Sequence, residues 1–375
     1  MPERIIKLMT IAFVGTRGLP YQSTRDRNEY NLEAIAVPLA KRGHSVYVIS
    51  EPNYSQATEY KGIHLIASKP TVKATMKALR KIKGLEIVHI RSLEYAWVAF
   101  WVSLKMTQVR IIFDYQQYTF VNTAKNQQKF KLLTYISAKF SDSLIIGNPA
   151  LTNLFRPSFK SKLYTIPTGI EVNNSISDNN IKAIYPQDYM VVNVSQYRDT
   201  KSLELFIKAY CNHKINYSLI VLGKVIPAIK EKYQSNNIIF VGELSGTTEQ
   251  ALVQNAKIFV EIATDNEDKY PLSLALVSGV PTLASRGVYN QSLVKNKGIF
   301  FTPYNYSSII TGLNTIQDMQ PILNRMAESY MPVIQDKLSI DGQIHKYLYA
   351  YLNTFQTKQA RKFLTANTYS IPITQ

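Results

Sequence analysis

Apolar runs of four to six residues recur along this chain, most of them followed by a stretch with helical spacing, and the cycle runs twice. IAFVG (11–15), VYVIS (46–50), IHLIA (63–67), EIVHI (86–90), RIIFD (110–114) and SLIIG (143–147) form the first series, which LYTIPTGI (163–170) closes. MVVNVS (190–195), SLIVLG (218–223), IIFVG (238–242), IFVEIA (258–263), PTLAS (281–285) and GIFFT (298–302) form the second. Runs this short and this continuously apolar suit strands buried on both faces, as in parallel sheets covered by helices. Between the first two runs, Leu32, Ile35, Ala36 and Leu39 fall at helical spacing, Gly43 stands at a C-cap position, and Pro38 is expected to kink the helix. EVNNSISDNN (171–180) is polar, has no period and reads as a linker. The expectation is an α/β protein of two doubly wound, Rossmann-like domains facing a cleft. The domains would span 1–172 and 189–345, joined by 173–188, with a helix in 346–375 packing back on the first.

The remaining bounds are compatible with that plan. At 375 residues and 46% apolar composition the chain can bury two cores. Its single Cys211 excludes an internal disulfide framework and fits a reducing compartment. The run YAWVAFWVSL (95–104) falls well short of the ~20 residues a membrane-spanning helix needs. The expected location is cytoplasmic.

Lys and Arg outnumber Asp and Glu by 43 to 26, a net charge of +17 that attracts polyanions. No zinc-finger spacing or RNA-binding signature accompanies it, so nucleic acid is not an expected partner. VKATMKALRKIK (72–83) places Val72, Met76, Leu79 and Ile82 on one helical stripe, with Lys73, Lys77, Arg80, Lys81 and Lys83 on or beside the other face. Two readings stay open for it: a surface helix packed on a sheet, or a peripheral contact with anionic lipid on the inner membrane face.

GTRGLP (15–20) follows the first strand but lacks the glycine spacing of a dinucleotide site, and no phosphate-loop lysine pattern follows a strand. Gly15, Thr16, Arg17 and Gly18 can still offer backbone N–H groups to a phosphate or a sugar hydroxyl. A tight turn that needs glycine is the alternative.

The ordered set of segments resembles a known family. GTRGLP with the helix ending LAKRGHSVYVIS, then SDSLIIGNPAL and YTIPTGIEV, NVSQYRDTKSLELFIKAY, IIFVGEL with ALVQNAKIFV, and SGVPTLAS look like family-four glycosyltransferases of the GT-B fold. The resemblance runs from about residue 10 to 345. It implies a retaining transferase that takes a sugar from a nucleotide-sugar donor, a substrate and not a cofactor, held mostly by the second domain. No metal is implied. The acceptor would be a glycan or glycolipid of the cell envelope.

The family's site is altered here. Of its glycine pair and following Glu near the first helix, only Glu29 matches, and the pair falls on Asp26 and Arg27. The first-domain His of the catalytic region falls on Gln116 in FDYQQY. The Arg of the diphosphate-binding pair falls on Gln196, with Arg198 nearby, and Lys201 stands where its Lys should. Two glutamates eight positions apart fall on Asn266 and Leu274, with Glu267 one place off the first.

Gln116, His89 and Glu267 are thus the candidate catalytic residues. Gly15, Thr16, Arg17, Gly18, Glu29, Arg198, Lys201, Gly223, Asn266, Tyr270 and Ser273 are candidates for substrate binding. For His89, a core histidine with satisfied hydrogen bonds is the alternative, and for Glu267 a solvated loop acid. Tyr118 and Tyr270 could line a sugar pocket or simply pack. Two functions follow: a working transferase with an altered donor site, or a scaffold that has lost transfer and binds a glycan or a partner protein.

Overall fold

The computed structural model describes residues 7–20, 27–52, 54, 57–115, 124–171, 188–194, 200–213, 215–244, 246–262, 270–295 and 298–367. The chain divides into two units, the first comprising 1–147, 151–167 and 343–375, the second 148–150 and 168–342. The expected linker 173–188 lies almost wholly outside the described residues.

The first unit is built on β1 (Thr10–Val14), β2 (Ser45–Ser50), β3 (Glu59–Tyr60), β4 (Ile63–Ala67), β5 (Ile87–Ile90), β6 (Arg110–Tyr115), β7 (Ser143–Ile146) and β8 (Leu163–Thr165). They lie in the order β3-β4-β2-β1-β5-β6-β7-β8 and are parallel except for the β3–β4 pair. That hairpin was not legible as a strand pair, because β3 is two residues long and polar. Its turn is Lys61-Gly62, both at positive φ (47° and 80°), the signs a two-residue primed turn requires.

Helices α1 (Arg27–Lys41), α2 (Val72–Leu79), α3 (Ala96–Lys105) and α4 (Ala124–Phe140) connect these strands. Side chains alternate across the sheet. Ala12, Val14, Val88, Ile90 and Phe113 pack in one core with α2, α3 and α4. Helix α2 begins at Thr71, whose hydroxyl accepts from the Ala74 N–H, and ends earlier than the 72–83 stripe suggests. Met76, Leu79 and Ile82 are buried in that core and Val72 is half-buried against it, so the stripe faces the sheet. Lys73, Lys77, Arg80, Lys81 and Lys83 are exposed.

The second unit carries six parallel strands, β9 (Tyr189–Asn193), β10 (Ser218–Leu222), β11 (Ile238–Gly242), β12 (Ile258–Glu261), β13 (Thr282–Ser285) and β14 (Gly298–Phe301), in the order β11-β10-β9-β12-β13-β14. Its helices are α5 (Thr200–Cys211), α6 (Pro227–Tyr233), α7 (Gly246–Gln254), α8 (Tyr270–Val277), α9 (Val288–Val294), α10 (Tyr306–Asp318) and α11 (Gln320–Leu338). Val191, Ile220 and Phe259 pack with α7 and α8 on one face. Val192, Leu219 and Val260 pack with α5, α6 and α10 on the other. Both units are therefore doubly wound α/β sheets, as the two series of apolar runs require. A last helix, α12 (Ile340–Asn367), contributes its residues from 343 onward to the first unit. Among the described residues no helix is long and apolar enough to cross a membrane.

Candidate functional site

In an open parallel sheet, ligands gather at the carboxyl ends of the strands where the strand order reverses. In the first unit that point lies between β1 and β5, and residues 15–20 form the loop there. The loop is held at two points. The Glu51 N–H donates to the Arg17 carbonyl (2.8 Å) beside β2, and the Arg91 N–H donates to the Val14 carbonyl (2.9 Å) beside β5.

Two glycines make this path possible. Gly15 sits at φ +80°, and a Cβ there would meet Ser92 Cβ and N at 2.9 Å. Gly18 sits at φ +141°, and a Cβ would lie 2.7 Å from Ser50 Cβ. Both positions exclude side chains by backbone sign and by space, so the tight-turn requirement is real whatever else the loop does. It also leaves polar atoms in need. Thr16 Oγ1 and Ser50 Oγ are buried and have no hydrogen-bond partner among the described residues. A sugar hydroxyl or a phosphate oxygen would satisfy them. Arg17 is exposed beside them.

His89 lies on β5 and is fully enclosed. Its Nδ1 is 2.6 Å from the Tyr351 hydroxyl and its Nε2 is 3.1 Å from Asp114 Oδ2. The Tyr347 hydroxyl donates to the same Asp114 oxygen at 2.8 Å, and Arg91 Nε lies 3.8 Å from it. Burial pushes the His89 pKa down, against the opposing pull of Asp114, and pushes both tyrosines well above the ordinary phenol value. A neutral imidazole fits every contact: Nε2–H donates to Asp114 while Nδ1 accepts from Tyr351. Phe13 lies against the ring, the centroids 4.8 Å apart and the planes tilted by 32°. The arrangement fastens α12 to β5 and β6, and it presents no face of the imidazole to solvent. Tyr347 and Tyr351 escaped sequence reading as partners, although their i, i+4 spacing marks them as one inward face of a helix.

In the second unit the strand order reverses between β9 and β12. Asn193 and Glu261 are register partners at the ends of these strands, and both are buried, Glu261 completely. Glu261 was read only as part of an apolar run, IFVEIA. A single acid in such a run, at its carboxyl end, is the signal that could have singled it out. Residues 195–199 follow β9 and residues 263–269 follow β12, so the two segments that the resemblance ties to the donor leave from neighbouring strands. Lys201 is exposed in the first turn of α5. Gly223, at φ +113°, directly follows β10, the strand on the other side of β9, and its N–H donates to the Gly242 carbonyl (2.7 Å).

Tyr270 opens α8 half-buried against the core. Ser273 and Leu274 turn inward on the same helix, at 3% and 0% exposure. Gln116, Tyr118, Gln196, Arg198, Asn266 and Glu267 lie outside the described residues, and Glu29 lies on α1 with its side chain undescribed. Among the described residues no group of three or more His, Cys, Asp or Glu side chains could hold a metal ion.

Residues 175–330 match the sequence profile of the family described as glycosyl transferases group 1. A sequence search of curated proteins finds no match. Among solved structures the chain is similar to Anabaena HepE in complex with UDP and glucose, at 13% identity and a TM-score of 0.67 over 92% of this chain and 100% of that one. It is similar to a glycosyltransferase from Rickettsia africae at 14% identity and 0.73, over 93% and 99%. Sucrose-phosphate synthase from Thermosynechococcus elongatus aligns at 14% and 0.69, over 96% and 100%. The fold is thus that of the GT-B glycosyltransferases, and in sequence residues 175–330 are similar to glycosyl transferases group 1.

Proposed function

We propose that this protein transfers a sugar from a nucleotide-sugar donor to a glycan or glycolipid acceptor of the cell envelope, with retention of anomeric configuration. The observation that carries the reading is the family match over 175–330, a segment that contains the β9–β12 switch point of the second unit. HepE, of the same fold, binds UDP and glucose, which supports a nucleoside diphosphate as the departing group. In this reading Lys201 neutralises the diphosphate as the glycosidic bond breaks, aided by Arg198, since Gln196 supplies no formal charge. Stabilising the charge that develops on the leaving group is the largest contribution such a site can make. The loop 15–18, with Thr16 and Arg17, holds hydroxyl or phosphate groups of a substrate in the first unit. Gln116 and Glu267 are the residues to which the family resemblance assigns catalytic roles.

Leu274, buried where the resemblance expects a ribose-binding carboxylate, favours a second reading in which donor transfer is lost and the scaffold binds a glycan or partner. The two separate by product. The purified protein is incubated with a panel of nucleotide sugars and an envelope glycolipid extract, and release of nucleoside diphosphate is followed. A transferase releases it from one donor in an acceptor-dependent way. Release from none, by protein shown to be folded, would leave the scaffold reading.

A further inference from the structure

Helix α3 is apolar on both sides. Ala96, Val98, Ala99 and Val102 face the core of the first unit and are fully buried. On the opposite side Trp97, Trp101 and Leu104 are 42%, 38% and 55% exposed. With half-buried Phe100 they occupy positions i, i+3, i+4 and i+7, which is one continuous stripe. The stripe is preassembled, because Phe100 meets Trp97 and Trp101 edge-on at 5.8 and 5.2 Å. A helix with apolar residues all round belongs in contact on every side, and here one side faces water.

Every charged residue on the two helices beside this ridge is basic. Helices α2 and α4 each pack against α3. Residues 72–83, 96–105 and 124–140 together contain no Asp or Glu. The exposed cations of α2 lie on one flank, and Lys129, Lys131 and Lys139 are exposed on α4 on the other. Lys105 caps the ridge, its Nζ 4.8 Å from the Trp101 ring. Leu132 of α4, 54% exposed, extends the apolar strip. Glu94, just ahead of α3, is the nearest exposed acid along this helix.

We propose that the face formed by α2, α3 and α4 docks on the surface of an anionic lipid bilayer. Trp97, Trp101 and Leu104 enter the headgroup–acyl boundary, and the flanking cations meet lipid phosphates. Indole rings favour that boundary, and each Lys or Arg held near an anionic leaflet adds attraction. Charge argues against a second copy as the occupant, since an isologous contact would set two acid-free faces against each other. Single-stranded nucleic acid prefers a basic groove with stacking platforms, whereas this surface is a ridge with aliphatic ends. The proposal stands apart from the transfer reaction, because none of these residues belongs to the candidate site.

The chain contains two tryptophans, so Trp97 and Trp101 are the whole of its indole fluorescence. The experiment follows that emission in the full-length native protein as vesicles of phosphatidylglycerol and phosphatidylcholine, or of phosphatidylcholine alone, are added. The expected result is a blue shift with the anionic vesicles, quenching by brominated acyl chains, and weakening of both as salt rises. Trp97→Ser/Trp101→Ser, which retains no indole and is followed by co-sedimentation with the vesicles, should lower partitioning on the order of 100-fold by loss of apolar contact. Lys73→Glu/Lys77→Glu/Lys81→Glu should lower it by about as much through charge. Unchanged emission with anionic vesicles at low salt overturns the proposal. So does a blue shift that grows with protein concentration without lipid, which would mark a contact between copies, and so does a shift produced by single-stranded RNA and not by vesicles. The wild-type measurement decides the matter even if either variant fails to fold.

Discussion

Leu274→Glu should abolish folding of the second unit and not improve donor binding, although it restores the residue type that the family resemblance expects at this position. Leu274 is fully buried on α8 among Leu272, Ala275 and Leu276, in the core that the helix shares with Val191 and Phe259. A carboxylate there forfeits the leucine's burial, worth about 1.5–3 kcal/mol. It must also ionise without a partner or remain protonated without an acceptor, at a further cost of several kcal/mol. The sum, roughly 5 kcal/mol or more, is comparable to the whole stability of an ordinary domain. Leu274→Met, which conserves volume, should cost under about 1.5 kcal/mol. Scanning calorimetry of the three proteins reads the difference directly. A glutamate variant that melts within a few degrees of wild type would mean that α8 can rotate this side chain out to a polar site.

Asp114→Ala should have the largest effect in the first unit. One oxygen of this carboxylate takes the His89 Nε2–H and the Tyr347 hydroxyl, with the Arg91 guanidinium 3.8 Å away. The side chains of His89 and Asp114 are wholly buried and that of Arg91 is 7% exposed, so solvent does not screen the pair. Removing the acid takes the acceptor from two buried donors and a counter-charge from beside Arg91, a loss of about 3–5 kcal/mol. Asp114→Asn keeps an acceptor in place and should cost less. Both tryptophans lie in the first unit, so urea unfolding followed by their fluorescence reports this unit alone and avoids treating a two-unit chain as one transition. A loss below about 1 kcal/mol would show that Arg91 and His89 find other partners and that the network does not hold α12 in place.

The fold was legible because its signal is local and repeated. Each strand is a short apolar run, and burial on both faces makes the run continuous, so the two sheets could be read from residues such as Val88, Ile90, Val191 and Phe259 without tertiary knowledge. The hairpin at Lys61-Gly62 was not, since a two-residue edge strand buries almost nothing. The candidate site was legible only in part. The glycine loop follows a strand and obeys a backbone rule, which sequence carries. The direction in which a residue points within a helix crowded with apolar neighbours is not carried: in YPLSLALV every position is a plausible core position, and only packing reveals that Ser273 and Leu274 both face inward. The partners of His89 were hidden for another reason. They stand 25 and 262 residues away, on β6 and α12, and no spacing rule links such distances.

Direct calorimetric titration of the protein with UDP, GDP, ADP and their common sugar conjugates tests the donor reading at its root. The account predicts saturable binding of one nucleoside diphosphate family, weakened about 10- to 100-fold by Lys201→Ala through loss of a single charge-assisted contact. The variant should melt with the wild type, since Lys201 is exposed in the first turn of α5. Absence of heat with every nucleotide, from protein that melts cooperatively, would contradict the account, and so would tight binding that Lys201→Ala leaves untouched.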